Sequence, residues 1–177
     1  MLISNGQIRE GNFVFIERAS KKIFQLKVEK KIDSLALFLK GDKLFYSEKY
    51  VASHDSFFLL KRVFKVGLLT YDLNYSPIRL RFILPFEKEQ KWQYEGIEKS
   101  SFHKAKIKSY GFVSEDETGY KIFNITFRND SPDTSILEFD RNFTINKIFI
   151  ELPEIFLLKQ LLGFKTSRLV FENYGEK

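Results

Sequence analysis

Short segments in which apolar and polar side chains alternate recur along most of this chain. In the segment from residue 78 to 84 every second side chain is apolar, and the two residues that lie between the first three apolar ones are Arg79 and Arg81. A β-strand has this period because its side chains point alternately to its two faces. We therefore predict a strand whose apolar residues face a core and whose arginines face solvent.

The alternating segments continue from Phe13 to the C-terminus and predict a large antiparallel sheet. The chain has 177 residues, 20 of which are Phe, and this aromatic volume needs a second layer to pack against. Its length suits one core, so we expect a single domain over residues 1–177. The predicted fold is mainly β: a strongly curved antiparallel sheet, forming an incomplete barrel, with short covering helices.

Two segments without alternation predict these covering helices. The first is a continuous run of Phe and Leu that follows a candidate N-cap, and it predicts a helix over residues 55–64. A fully buried strand is the alternative for this run. The second lies between Pro153 and Gly163, which suit the start and the C-cap of a helix over residues 154–162.

The residues that usually carry catalysis or bind metals are scarce in this sequence. The chain contains no Cys, which excludes disulfides, zinc–thiolate sites and thiol nucleophiles. His54 and Asp55 are adjacent and have serines beside them, but a catalytic triad needs side chains that converge from separate elements. We interpret this group as a polar loop. The sequence thus predicts a protein that is not an enzyme and that has no metal and no cofactor.

The net charge of +6 is spread along the chain rather than concentrated in one segment. Residues such as Lys104 and Lys108 are alternates on the outer face of a predicted strand, which favours a solvated face over a footprint for a polyanion. Basic and aromatic residues interleave at residues 79–82 and 91–94, but alternation points Phe82 and Arg81 to opposite faces, which argues against nucleic acid as a partner. Trp92 and Tyr94 share one face and are candidates for an aromatic edge at the mouth of a cavity.

Hydropathy predicts no transmembrane segment. No stretch approaches the roughly 20 apolar residues that a helical span requires. Residues 1–6 lack the charged and apolar regions of a secretory leader. We expect a periplasmic or cell-envelope location if a leader was removed ahead of Met1, and otherwise the compartment stays open.

Residues 11–50 contain an ordered set of features. A strand from Gly11 ends at Glu17 and Arg18, Phe24 opens a second strand, and a hairpin at Gly41 follows. This order resembles the periplasmic outer-membrane lipoprotein carrier family and its lipoprotein-sorting relatives. The resemblance implies an incomplete antiparallel barrel, closed by short helices, with an apolar cavity for acyl chains. It also implies that Arg18 lies near the cavity, with an exposed turn arginine as the alternative.

Together these features predict a non-catalytic binding protein for an apolar or amphipathic ligand, such as a lipid or a lipoprotein acyl chain, on the concave face of the sheet. The expected partners are this ligand or a lipidated protein, and an envelope protein is a further candidate. The alternative is a structural or adaptor module that binds a protein or a cell-envelope polymer and has a filled core. The predicted ligand-binding residues are Phe15, Arg18, Phe24, Leu26, Leu37, Phe82, Trp92, Tyr94 and Phe123.

Overall fold

A computed structural model describes residues 7–128, 131–151 and 168–175. These ranges contain twelve β-strands and no helix. The strands are β1 (Gly11–Glu17), β2 (Ile23–Lys31), β3 (Ser34–Lys40), β4 (Leu44–Ser53), β5 (Ser56–Val66), β6 (Leu69–Ile83), β7 (Lys91–Lys99), β8 (Lys104–Asp116), β9 (Gly119–Arg128), β10 (Ser131–Asp140), β11 (Ile145–Glu151) and β12 (Arg168–Asn173).

The twelve strands form a closed barrel. Each strand pairs antiparallel with its neighbours in the sequence, and β12 returns to pair with β1, where Phe15 is opposite Asn173. The predicted mainly β, antiparallel fold is confirmed. The predicted incomplete barrel is wrong, because the pairing of the first strand with the last leaves neither edge of the sheet free.

The helix predicted over residues 55–64 is also wrong, because this segment forms most of β5. Phe57 and Leu59 are buried in the interior, whereas Phe58 and Leu60 alternate with them on the outer face. The alternative interpretation was right that this run is a strand but wrong that the strand is fully buried, since Leu60 on its outer face is 44% exposed. The helix predicted over residues 154–162 lies outside the described residues.

Aromatic side chains fill one end of the barrel, where β6 connects to β7. The ring of Phe86 lies in this connection, with its centroid 5.2 Å from that of Phe139, 5.3 Å from Tyr120 and 5.8 Å from Phe143. Phe82 at the end of β6 packs against the same ring at 6.0 Å. We call these five residues the aromatic end. Edge and offset contacts of this kind stabilise a core beyond the area that they bury.

The ladder between β6 and β7 is short. It runs from the pair Asn74–Lys99 to the pair Ser76–Ile97, although both strands continue beyond it. In the described structure, residues 77–83 of β6 do not pair with β7, although Arg79, Leu80, Phe82 and Ile83 pair with β5. We call this place the seam. It accommodates Pro77, which has no N–H to donate to a neighbouring strand.

Candidate ligand site in the barrel interior

The side chains of Arg79 and Arg81 point into the barrel, not into solvent. Both are 0% exposed. Tyr71 and Tyr75 on the same parity of β6 are also buried, so the two halves of this strand bury the same parity on either side of exposed residues 76–78. The prediction that these arginines form a wet outer face is therefore wrong.

A β-bulge at Arg81 allows a neighbouring apolar residue to be buried as well. Phe57 of β5 is opposite Phe82, whereas the next residue, Phe58, is opposite Leu80, so that Arg81 is an extra residue in β6. A bulge of this kind changes the side-chain parity of the strand. Arg81 and Phe82 consequently both face the interior.

The two arginines reach across the interior to strands that are not their neighbours. Arg79 Nη2 donates to Thr126 Oγ1 of β9 at 2.5 Å, and Arg81 Nη1 donates to Ser135 Oγ of β10 at 2.9 Å. Because β7 and β8 separate β6 from β9 in the wall, these contacts must cross the lumen. Asn124 of β9 joins them from the same side, and its Nδ2 donates to the carbonyl oxygen of Arg81 at 3.3 Å.

A buried ion pair lies beside the two arginines. Arg62 donates to Glu48 Oε1 from Nε at 2.9 Å and from Nη2 at 2.6 Å, and the Tyr50 hydroxyl donates to Glu48 Oε2. Arg81 Nη2 lies 3.9 Å from Glu48 Oε1, too far for a hydrogen bond. Burial alone would raise the pKa of Glu48, but the charges of Arg62 and Arg81 and the Tyr50 hydrogen bond lower it to about 2.

Positive charge exceeds negative charge in this cluster. In the described structure, three guanidinium groups, those of Arg62, Arg79 and Arg81, share one carboxylate, Glu48, which pairs with Arg62 and lies 3.9 Å from Arg81. Arg79 has no carboxylate partner there, and its Cζ lies 5.6 Å from the centroid of the Tyr75 ring. Burial lowers the pKa of Arg79 to about 10, and the neighbouring arginines add to that effect. The cluster is therefore suited to an additional negative charge.

Several buried polar atoms of the cluster have no hydrogen-bond partner among the described residues. They are Nε and Nη1 of Arg79, Nε and Nη2 of Arg81, and Oδ1 of Asn124. A buried donor without a partner costs free energy, and a charged one costs more. Most buried polar groups in proteins do have partners, so this group of orphan atoms marks a candidate binding site.

A second polar cluster lies at the end of the barrel opposite the aromatic end, and its charged groups pair with one another. Glu98 accepts from Arg128 Nε at 2.5 Å and from Arg128 Nη2 at 2.6 Å, and Arg128 also pairs with Asp133. His103 Nε2 lies 3.2 Å from Glu98 Oε1, and its Nδ1 lies 2.7 Å from the Tyr71 hydroxyl. Because its charges already have partners, we do not consider this cluster the ligand site.

Seven of the nine predicted site residues are buried in the barrel interior. They are Phe15, Phe24, Leu26, Leu37, Phe82, Trp92 and Tyr94. The indole of Trp92 covers Gly111 of β8, where an added Cβ would lie 2.0 Å from the ring. The Tyr94 hydroxyl donates to the carbonyl oxygen of Pro77 at 2.7 Å, across the seam.

The other two predicted residues do not lie in the interior. Phe123 faces outward and stacks on Phe112 at 4.6 Å, since β9 directs Asn124 and its other even-numbered neighbours inward. Arg18 follows β1 and forms an exposed ion pair with Glu172 of β12. Arg18 is therefore an exposed arginine, as the alternative interpretation expected, and does not lie near a cavity.

The sequence interpretation missed the charged residues of the candidate site, namely Arg62, Arg79, Arg81 and Glu48. One signal could have found two of them. Tyr71, Leu73 and Tyr75 share a parity with the arginines of the same strand. Extending the parity of that earlier apolar set would have placed both arginines inside.

No protein-family model, curated protein or solved structure matches this chain. The resemblance of residues 11–50 to lipoprotein carriers therefore stays a prediction. Within the three described ranges there is no helix with the length and hydrophobicity that a membrane span requires. The same ranges contain no group of three or more His, Cys, Asp or Glu residues that is placed to hold a metal ion.

Proposed function

We propose that this protein is a non-catalytic binding protein that holds an amphipathic ligand inside its barrel. The observation that carries the proposal is the fully buried pair Arg79 and Arg81, each with two guanidinium nitrogens that have no hydrogen-bond partner among the described residues, beside a large set of apolar rings. Among the described residues, Arg79 has no carboxylate partner and Arg81 has one only at 3.9 Å. A core built for stability alone has no use for two such buried guanidinium groups, because their desolvation opposes folding. A ligand that carries a polar group would compensate for that cost.

The apolar part of the interior supports the second half of the proposal. Phe82 is next to Arg81 in the chain, and its ring stacks on Phe57 at 4.6 Å and lies 5.7 Å from Tyr50. Ligand sites in proteins combine an apolar lining with a few placed polar groups in this way. A barrel of twelve strands also has a wider interior than one of eight strands, whose lumen side chains just fill.

A lipid, or the acyl chain of a lipidated protein, is the ligand source that we propose. The support is the resemblance of residues 11–50 to lipoprotein carriers, together with the apolar residues that this segment sends inward, such as Phe24 and Leu37. A location in the periplasm or the cell envelope belongs to the same proposal.

A neutral fluorescent dye tests the proposal. N-phenyl-1-naphthylamine fluoresces in apolar sites, and we expect it to bind with saturation at about one site per chain and to be displaced by dodecanol. Phe82→Leu should weaken this binding several-fold, because it removes ring surface from the interior. Phe123→Leu is the matched control: it makes the same change on the outer face and should leave dye binding unchanged.

Circular dichroism should show that both variants keep the strand spectrum of the unaltered protein. If the dye and dodecanol show no saturable binding at micromolar protein, the proposal fails. That result would favour the alternative of a filled structural or adaptor module.

A further inference from the structure

We propose that Arg79 and Arg81 bind the oxyanion headgroup, a carboxylate or a phosphate, of the amphipathic ligand. The inference rests on the proposed function, because it assigns the polar end of the ligand which that function requires. It identifies the ligand class as anionic amphiphiles.

The free hydrogen-bond donors of the two arginines fit an oxyanion. Nε and Nη2 of Arg81 form one edge of the guanidinium plane, and both lack a hydrogen-bond acceptor among the described residues. This edge can bind two oxygens of one carboxylate or phosphate through parallel N–H···O bonds. Arg79 adds Nε and Nη1, which also lack described acceptors.

Two hydroxyl groups extend this set of donors. Thr126 Oγ1 and Ser135 Oγ each accept a hydrogen bond from one of the arginines. A hydroxyl that accepts in this way still has its own hydrogen to donate, and the described structure gives neither one an acceptor. The group around the arginine pair is thus rich in donors, as anion sites are.

The charge of the cluster excludes the other headgroup classes. Arg62 is neutralised by Glu48, so among the described residues Arg79 has no carboxylate partner and Arg81 lies 3.9 Å from one that is already paired. A cationic headgroup would be repelled by both arginines. A neutral alcohol would satisfy some of the donors but would leave both charges uncompensated.

The placement of the arginines also accounts for the apolar end of the ligand. Phe82 and Phe57 adjoin Arg81, and beyond Phe82 lie the remaining rings of the aromatic end. A headgroup held at the arginine pair would therefore have apolar side chains within reach of its first methylene groups. Free phosphate would leave this surface unused.

A set of ligands with one tail and different headgroups tests the inference on the unaltered chain. Dodecanoate, dodecyl phosphate, dodecanol and dodecyltrimethylammonium compete with the neutral dye, and inorganic phosphate is titrated alone. Because the arginines can form two charge-assisted hydrogen bonds with an anionic headgroup, we expect the anions to bind about 10- to 100-fold more tightly than dodecanol. The cation should bind more weakly than the alcohol, and inorganic phosphate should not displace the dye.

Substitutions then assign the preference to residues. Arg79→Met and Arg81→Met should each reduce the affinity for dodecanoate about tenfold or more, while the affinity for dodecanol stays within twofold. Arg18→Met is the matched control, since Arg18 lies in an exposed ion pair outside the interior. It should leave the affinities for all of the ligands unchanged.

The outcomes separate this inference from the proposed function. Equal binding of dodecanol and dodecanoate would overturn the oxyanion site while the binding barrel stands. Failure of every dodecyl ligand to bind would overturn both. Displacement of the dye by inorganic phosphate as effectively as by dodecyl phosphate would replace the amphipathic headgroup with a free anion. These ligand comparisons do not depend on a variant, so they decide the matter even if one variant fails to fold.

Discussion

Replacing Arg79 with methionine should make the ligand-free protein more stable. Arg79 is fully buried and donates to Thr126, with no carboxylate beside it in the described structure. Burial lowers its pKa from 12.5 to about 10. Since one pKa unit corresponds to about 1.4 kcal/mol, keeping this guanidinium charged in the folded protein costs about 3 kcal/mol more than in water.

The expected gain is smaller than this cost, because the substitution also removes favourable contacts. The hydrogen bond to Thr126 contributes about 1 kcal/mol, and the contact with the Tyr75 ring contributes up to about 1 kcal/mol. Methionine has a similar length and adapts to irregular space, so we expect little loss of packing. The net gain is about 1 to 2 kcal/mol, which raises the melting temperature of a chain of this size by about 3 to 6 °C.

Thermal and urea unfolding in a buffer without oxyanions measures this gain, and Arg62→Met is the control. Arg62 is as deeply buried but is paired with Glu48, so its loss leaves a buried carboxylate with too few partners and should cost about 3 to 5 kcal/mol. Opposite signs for the two substitutions support the reasoning. A lower melting temperature for Arg79→Met than for the unaltered chain would refute it, because Arg79 would then stabilise the fold by itself.

Two further predictions concern the pH dependence of stability and the packing of the Trp92 ring against β8. The pKa of Glu48 is lowered from 4.5 to about 2, so its contribution to the free energy of unfolding is complete above about pH 4.5 and is lost as the pH falls toward 2. We expect about 3 kcal/mol to be lost in urea unfolding over that window, and a flat profile would contradict this. Gly111→Ala should cost about 2 to 3 kcal/mol in thermal unfolding, because its Cβ would lie 2.0 Å from the Trp92 ring. Gly67→Ala is the control: its added Cβ would meet open space, but the φ of +57° is strained for alanine, so it should cost about 1 kcal/mol. Equal losses of stability in the two variants would show that the Trp92 indole moves aside.

Local alternation predicted the strands well, because each strand buries one parity of its side chains. The hairpin at Gly41 joins β3 to β4 as expected, and residues such as Phe24 and Leu37 are buried as predicted. Closure of the barrel could not be predicted in this way. It depends on β1 meeting β12, and no local pattern reports a contact between residues as distant as Phe15 and Asn173.

The errors at the candidate site have a shared physical cause. Apolar residues are assigned to the core and charged ones to water, yet Phe58 and Phe123 lie on the outer face while Arg79 and Arg81 are buried. The rule holds for a core that only stabilises a fold. Buried charges are expensive and are found where a partner or a ligand compensates for them, so the rule fails where a functional site is expected.

The seam has a consequence for how molecules enter and leave. Where two strands of a barrel are hydrogen-bonded along their whole length, backbone hydrogen bonds must break before a molecule can pass between them. Between residues 77–83 and β7, the described structure has a side-chain contact in which the Tyr94 hydroxyl donates to the carbonyl oxygen of Pro77. Separating this strip from β7 would therefore break no backbone ladder on that side, while Arg79, Leu80, Phe82 and Ile83 stay paired with β5.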